Sequence, residues 1–129
     1  MKFAYTLLYV RDVGRALAFY ESAFGMQRRF LHESGMYGEL DTGPTTLSFV
    51  GHELAQSNLP GGFEPSDLRR PPGAFEVAFA TADVPAAYGR AVSAGAAAVA
   101  APKTKPWGQT VAYVRDLDGH LVELCTPLA

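Results

Sequence analysis

Two glutamates stand inside apolar runs of this sequence, where a charged side chain is unexpected. Glu76 lies in AFEVAF and Glu123 lies in LVELC. A carboxylate buried alone becomes neutral or needs a cation or hydrogen-bond donors, because burial disfavours its charged form. Paired carboxylates of this kind suit general acid–base chemistry or the binding of a cation. The alternative is that either residue is an outward-facing polar position on a strand edge.

The elements that position these glutamates occur twice along the chain. Residues 5–25 and residues 76–95 each contain an apolar run, an Asp-Val pair, a helix-period stretch and a glycine. Asp12 and Asp83 of the two copies lie 71 positions apart. Two copies of a small sheet-plus-helix unit can pack together and enclose a site between them. Residues at matched strand positions are therefore expected to meet at the centre.

Length and composition exclude several classes of function. A chain of 129 residues forms one compact domain or two half-size modules. The net charge of −2 gives no reason to expect binding to nucleic acid or to an anionic membrane. No apolar run approaches the roughly 20 residues that cross a bilayer, and Arg11 and Asp12 follow the N-terminal MKFAYTLLYV where a signal peptide needs small residues. The single cysteine, Cys125, fits packing in a protein of the reducing cytoplasm.

The first copy predicts a β-α-β-β-β module over residues 1–50. Asp12 is a good N-cap, and Gly25 supplies the left-handed position that ends a helix. Apolar residues recur every three or four positions between them, which is typical of a helix packed on one face. The predicted elements are a strand at 3–10, a helix at 13–24 and strands at 26–33, 36–41 and 45–50.

Residues 51–73 separate the modules and contain four prolines and four glycines. A connection of this length is a module linker, a binding loop or a lid, with at most one helical turn expected. The second module, residues 74–129, repeats the order of the first, and Gly119 suits a left-handed turn position. Its predicted elements are a strand at 75–81, a helix at 84–94 and strands at 97–100, 108–115 and 120–126.

Two long strings resemble the vicinal oxygen chelate superfamily, which includes glyoxalase I, extradiol dioxygenases and bleomycin-resistance proteins. They are YVRDVGRALAFYESAFGM near the start and KPWGQTVAYVRDLDGHLVEL near the end. The resemblance covers essentially the whole chain. It implies an α+β fold in which two βαβββ modules form a curved half-barrel sheet around a cavity. It leaves the reaction open, because one scaffold carries many functions.

The resemblance also implies four ligand positions, one on the first and last strand of each module. In this sequence they are Tyr5, Ser48, Glu76 and Glu123. The oxygen-only set suits a weakly held hard divalent ion better than Zn²⁺ or Fe²⁺. A site without metal is the alternative, with the two glutamates as acid and base and Tyr5 orienting the substrate. Without histidine at these positions, a standard glyoxalase I or extradiol dioxygenase is not expected.

Strand alternation and the loops add further candidates for contact with a small-molecule ligand. Trp107 is either a pocket wall, a core residue or an interface anchor. His120 is expected to be exposed, and His32 lies either on the sheet surface or on the cavity wall. Phe30, Phe49, Phe75, Phe79 and Tyr113 are expected in the core. The predicted substrate contacts are Ser48, Tyr37, Glu39, His52, Lys105, Trp107 and Gln109.

Two classes of function follow. The first is a glyoxalase-like enzyme, a lyase or isomerase, that uses Glu76 and Glu123 as acid–base residues or weak metal ligands. The second is a binding protein of the bleomycin-resistance type that sequesters a drug or metabolite. The resemblance further implies a homodimer with its sites at the interface, and open strand edges supply a physical reason for pairing.

Overall fold

The structure, a computed structural model, describes residues 1–128. The chain divides into two compact units, Met1–Ser66 and Asp67–Ala129. Each unit contains one four-stranded sheet, and both sheets have the same strand order relative to the chain. The prediction of an α+β protein made of two βαβββ modules is confirmed.

The first unit is built around a sheet with strand order β1-β4-β3-β2. Strand β1 runs parallel to β4, and the other neighbours are antiparallel. Helix α1 covers one side of the sheet, where Tyr20 packs on Phe49 with ring centroids 4.9 Å apart. The elements are β1 (Tyr5–Val10), α1 (Val13–Phe24), β2 (Gln27–Leu31), β3 (Tyr37–Asp41), β4 (Thr46–Gly51) and α2 (His52–Asn58).

Both predicted ends of α1 are present. The Asp12 carboxylate accepts a hydrogen bond from the Arg15 N–H at 3.0 Å, which satisfies one of the free donors of the first turn. Gly25 has φ 69° and closes the helix through its N–H. The turn between β1 and α1 is therefore set by local chemistry, as the sequence indicated.

Gly38 of β3 lies against α1 with no room for a side chain. A Cβ at this position would lie 2.6 Å from Leu17 Cδ1 and 3.1 Å from Val13 Cγ1. We expect Gly38→Ala to destabilise the protein by about 1–3 kcal/mol, since overpacking forces the helix away from the sheet. Urea unfolding measures the change. The matched control is Gly89→Ala in the helix of the second unit, Val84–Ser93, where a Cβ meets nothing within 4 Å, and a gain in stability of up to about 1 kcal/mol is expected there.

The second unit has strand order β5-β8-β7-β6, again with its first and last strands parallel. The Asp83 carboxylate caps its helix by accepting from the Ala86 N–H at 3.1 Å. Helix α3 packs on the side of the sheet where Val114, Val122 and Leu124 are buried. The elements are β5 (Val77–Ala80), α3 (Val84–Ser93), β6 (Ala97–Thr104), β7 (Thr110–Arg115) and β8 (Leu121–Cys125).

Two predicted stretches differ from the structure. The strand predicted at 97–100 continues to Thr104 and includes Pro102. An edge strand tolerates a proline because its missing N–H needs no partner there, and the pairing is irregular on both sides of Ala100. The connection at 51–73 contains the seven-residue helix α2, because Glu53, Leu54, Ala55 and Gln56 are good helix formers.

Several predictions of burial were wrong. His120, expected to be exposed, is 5% exposed and packs near Phe75, because the turn before it folds inward. Phe30 and Phe75, expected in the core, are 40% and 53% exposed, since both lie outside the helix-covered sides of the sheets. Phe49 is fully buried, as expected.

Candidate functional site

The side of the first sheet opposite α1 carries polar and apolar side chains from three strands. We call it the first open face and define it by Tyr5, Leu7, Tyr37, Glu39 and Ser48. Leu7 and Glu39 both pair with Ser48 in the strand register. Tyr5 is 51% exposed and Leu7 is 46% exposed. The register therefore brings four of the predicted site residues onto one surface.

A hydroxyl network occupies the middle of the first open face. The Tyr37 hydroxyl donates to Glu39 Oε2 at 2.6 Å and lies 3.1 Å from Ser48 Oγ. The phenol has a single proton, and it donates that proton in the hydrogen bond to Glu39. The Ser48 hydroxyl is therefore the donor in the second contact. Burial and the bond to Glu39 raise the pKa of Tyr37, although Ser48 acts in the opposite direction. Tyr37 is thus a fixed, neutral donor to a carboxylate.

Arg29 explains how Glu39 can be buried. Its Nη1 lies 3.7 Å from Glu39 Oε1, and its Nη2 lies 3.4 Å from Asp41 Oδ1. The pairing of β2 with β3 shifts register between Arg28 and Phe30, so Arg29 is the extra residue of a bulge and turns to the open face. Arg29 could not be identified from the sequence, because a bulge is a property of the strand pair.

The corresponding side of the second sheet is acidic. We call it the second open face and define it by Glu76, Ala78, Tyr113, Glu123 and Cys125. Ala78 and Tyr113 pair with Glu123 from its two sides. Glu76 lies one residue before β5 and shares the side of Ala78 by alternation. Both glutamates of the sequence analysis are therefore on one surface.

Tyr113 is the direct partner of Glu123. Its hydroxyl donates to Glu123 Oε1 at 2.8 Å. This hydrogen bond, together with burial, raises the pKa of Tyr113 to about 12. Tyr113 was expected in the core, but its position opposite Glu123 in the register makes it part of the site. Alternation along β7 predicts the side of the sheet on which Tyr113 lies. The register between β7 and β8 is needed to place it opposite Glu123.

Glu76 and Glu123 interact directly. The Glu76 side chain is exposed, yet partial desolvation, the charge of Glu123 and a hydrogen bond to Glu123 raise its pKa. Within residues 1–128, neither carboxylate forms an ion pair with a lysine, arginine or histidine. Burial and the bond to Glu123 also raise the pKa of the Cys125 thiol, so Cys125 is not an activated nucleophile. The pair can hold a proton between two carboxylates.

The raised pKa of Glu76 predicts a pH-dependent effect of Glu76→Gln on stability. A folded-state pKa above the unfolded value favours folding at low pH, and that contribution is lost as the pH rises through the folded pKa. The variant, which does not titrate, is therefore expected to gain stability relative to the parent between about pH 4.5, the ordinary glutamate value, and neutral pH. Urea unfolding across this range measures the difference. A pH-independent difference, or the same trend in the exposed control Glu53→Gln, would contradict it.

Three predicted contacts belong to the β6–β7 hairpin rather than to the acidic face. Trp107 is 65% exposed, which excludes the core alternative and leaves a pocket wall or an interface anchor. Its indole N–H donates to Gln109 Oε1 at 2.9 Å, and Gln109 Nε2 donates to the Thr126 carbonyl at 2.9 Å. Lys105 is part of the turn, where its carbonyl accepts from the Gly108 N–H. The Gln109 amide is thus used to hold the hairpin tip.

The histidines differ in their surroundings. His32 is exposed, and its Nδ1 accepts a hydrogen bond from the Ser34 N–H at 3.1 Å. His52 opens α2, and its Nε2 is buried without a hydrogen-bond partner. His32 therefore lies on the surface, whereas His52 lies at the end of the first open face.

Neither open face supplies a full set of protein ligands for a metal ion. Among residues 1–128, no group of three or more His, Cys, Asp or Glu side chains is arranged to hold one. The second open face offers two neighbouring carboxylates, so a hard divalent ion bound there would take most of its ligands from water. In the first open face, Glu39 accepts from Tyr37 and pairs with Arg29. A weakly held, mostly hydrated ion at Glu76 and Glu123 stays a prediction.

Comparison with known proteins identifies the family. The family model of the Glyoxalase/Bleomycin resistance protein/Dioxygenase superfamily matches residues 2–124. The chain belongs to this superfamily. No curated protein matches the chain. The described part of this superfamily member contains no helix that is both long and apolar enough to traverse a lipid bilayer.

Solved structures share the fold at low sequence identity. A glyoxalase-related enzyme from Fulvimarina pelagi has a TM-score of 0.83 at 22% identity, covering 98% of this chain and 88% of its own. A family enzyme from Burkholderia phytofirmans PsJN has a TM-score of 0.82 at 24% identity, covering 99% and 100%. TioX from Micromonospora sp. ML1 has a TM-score of 0.73 at 24% identity, covering 99% and 100%. These similarities concern the fold.

Proposed function

We propose that this superfamily member is a proton-transfer enzyme, a lyase or isomerase, that acts on a small carbonyl compound with Glu76 and Glu123 as its acid–base pair. The observation that supports this most is the position of Glu76 and Glu123 on one open face, where partial desolvation and the charge of Glu123 raise the pKa of the exposed Glu76. Two neighbouring carboxylates of which one has a raised pKa are suited to removing and returning a proton. The raised pKa of the Cys125 thiol favours proton transfer over nucleophilic catalysis by this cysteine.

The contacts support a separate role for each group. Tyr113 donates to Glu123, so a proton held by the pair belongs on Glu76, whose pKa is raised. Glu123 then takes the proton from the carbon next to a carbonyl. Glu76 donates its proton toward the carbonyl oxygen, where negative charge develops. The reverse transfers then return both protons. Return of a proton to the same carbon completes an exchange, and return to the neighbouring carbon completes an isomerisation.

A deuterium-exchange assay tests this function on the parent protein. A panel of 2-oxo acids and 2-hydroxy ketones is incubated with the protein in D₂O, and loss of the carbon-bound proton is followed by NMR. We expect accelerated exchange for at least one compound, and no loss of rate after treatment with a chelator. A panel that shows no acceleration would contradict the proposal. If the parent protein contains a stoichiometric divalent metal ion and the Glu76→Gln and Glu123→Gln variants do not, the two glutamates are metal ligands instead.

A non-catalytic binding protein is the second candidate. It is favoured by the large exposed side chains of the first open face, where Tyr5, Leu7 and the neighbouring Phe30 are each at least 40% exposed. Apolar surface of this kind binds ring-containing ligands without chemistry. Calorimetric binding of a compound that undergoes no exchange would favour this function. Ser48, Tyr37 and Glu39 are its proposed polar contacts.

We further propose that two chains pair. Met1 and Phe3 are among the most exposed large apolar residues of the first unit, and such surface marks interaction sites. Sedimentation at micromolar concentration is expected to give twice the mass of one chain. The Phe3→Glu variant is expected to give a lower mass, closer to that of one chain. A monomer at all concentrations would contradict pairing.

We also propose that the protein is located in the cytoplasm, because its single cysteine, Cys125, fits a reducing compartment.

A further inference from the structure

One buried polar atom of the first unit has no role in the proposed acid–base pair. His52 Nε2 is buried and has no hydrogen-bond partner among residues 1–128. Leaving a buried polar group unsatisfied destabilises the folded state, so such an atom in a folded protein calls for a reason. His52 begins α2 directly after β4, at the end of the first open face.

An aromatic side chain closes this end of the face. The Phe63 ring lies edge-on to the His52 imidazole, with centroids 5.4 Å apart, and to the Tyr9 ring at 4.9 Å. Phe63 follows a turn in which the Gly62 N–H donates to the Leu59 carbonyl at 2.9 Å, with Gly62 at φ 73°. The turn that carries Phe63 is therefore built on a glycine, and the ring, not a polar group, packs against the imidazole.

The surroundings of His52 favour one tautomer. Of the two ring nitrogens, Nε2 is the one that is buried without a hydrogen-bond partner. A proton on Nε2 would be a buried donor without an acceptor, and orphaned buried N–H groups are rarer in proteins than under-satisfied acceptors. A proton on Nδ1 leaves no buried donor without an acceptor. The imidazole is therefore held with its proton on Nδ1 and with a lone pair at the buried Nε2.

We propose that His52 Nε2 is a hydrogen-bond acceptor for a ligand that carries a ring with a hydroxyl or N–H donor, and that this ring takes the place of Phe63. The ligand ring would pack on Tyr9 as Phe63 does, and its donor would satisfy the buried lone pair. This proposal concerns the first open face alone. It stands whether or not the acid–base function of Glu76 and Glu123 is correct.

The tautomer is tested on the unmodified protein. Long-range ¹H–¹⁵N correlation spectra recorded well above the ordinary histidine pKa of about 6.5 distinguish a protonated Nδ1 from a protonated Nε2. We expect Nδ1–H for His52. His32 is the internal control, because its Nδ1 accepts from the Ser34 N–H and must carry its proton on Nε2. An Nε2–H pattern at His52 would overturn the proposal.

The binding role is tested by vacating the position of Phe63. In Phe63→Ala, phenol and benzene are titrated as probes, and the ratio of their affinities is compared with that in the double variant Phe63→Ala/His52→Ala. A single hydrogen bond to Nε2 predicts a ratio about two- to tenfold higher when His52 is present. Phenol should also shift the His52 Nε2 resonance and leave that of His32 unchanged. Equal ratios would overturn the proposal. If Phe63→Ala does not fold, Phe63→Leu with the same NMR readout replaces it.

Discussion

Glu123→Gln is expected to lower the rate of carbon–deuterium exchange by about 10²- to 10⁴-fold, the usual contribution of a positioned general base. The amide keeps the shape of the carboxylate and can still accept the Tyr113 hydroxyl, which lies at 2.8 Å. It cannot take a proton from carbon. Glu76→Gln removes the proton donor and is expected to reduce the rate in the same assay. The fall should appear in kcat rather than in KM, since the interaction is made in the transition state.

Two controls separate catalysis from structure. Glu53→Gln changes an exposed glutamate of α2 and should leave the exchange rate unchanged. Tyr113→Phe removes only the hydroxyl that orients Glu123, so it should cause a smaller loss and displace the pH–rate profile. An exchange rate that survives both glutamate substitutions would assign the chemistry elsewhere.

Asp116→Ala is expected to destabilise the protein by about 3–5 kcal/mol, because three backbone donors lose one acceptor. Asp116 is 2% exposed. Its Oδ1 accepts from the N–H groups of Asp118, Gly119 and His120 at 2.9–3.0 Å. The alanine variant leaves these three donors, which lie in a buried turn between β7 and β8, without that acceptor. Urea unfolding of parent and variant measures the loss.

Asp116→Asn is the matched control, because it keeps an oxygen in the same place and removes the charge. Its expected loss is about 1–2 kcal/mol. Arg115 also stabilises this turn. Its Nε donates to the Gly119 carbonyl at 2.9 Å, and its Nη2 donates to the Asp67 carbonyl at 3.0 Å. An alanine variant no less stable than the asparagine variant would show that the three hydrogen bonds contribute little.

The turn around Gly119 illustrates how far the sequence reaches. Its left-handed glycine was predicted from the D-x-D-G pattern and has φ 99°. The burial of His120 was not predicted, because it depends on Asp116 drawing the following backbone inward and on contact with Phe75 from a distant part of the chain. A local pattern predicts a local angle, whereas burial depends on what packs against the turn.

The sequence by itself determined the repeated βαβββ order, the caps at Asp12 and Asp83 and the presence of two glutamates in apolar runs, since these depend on neighbours along the chain. Only the tertiary structure decided which side chains meet the glutamates and which polar atoms stay unsatisfied. Tyr113 faces Glu123 through the strand register, and Arg29 reaches Glu39 through a bulge. Register and bulges arise when two strands pair, so their consequences for the site are not written in either strand alone.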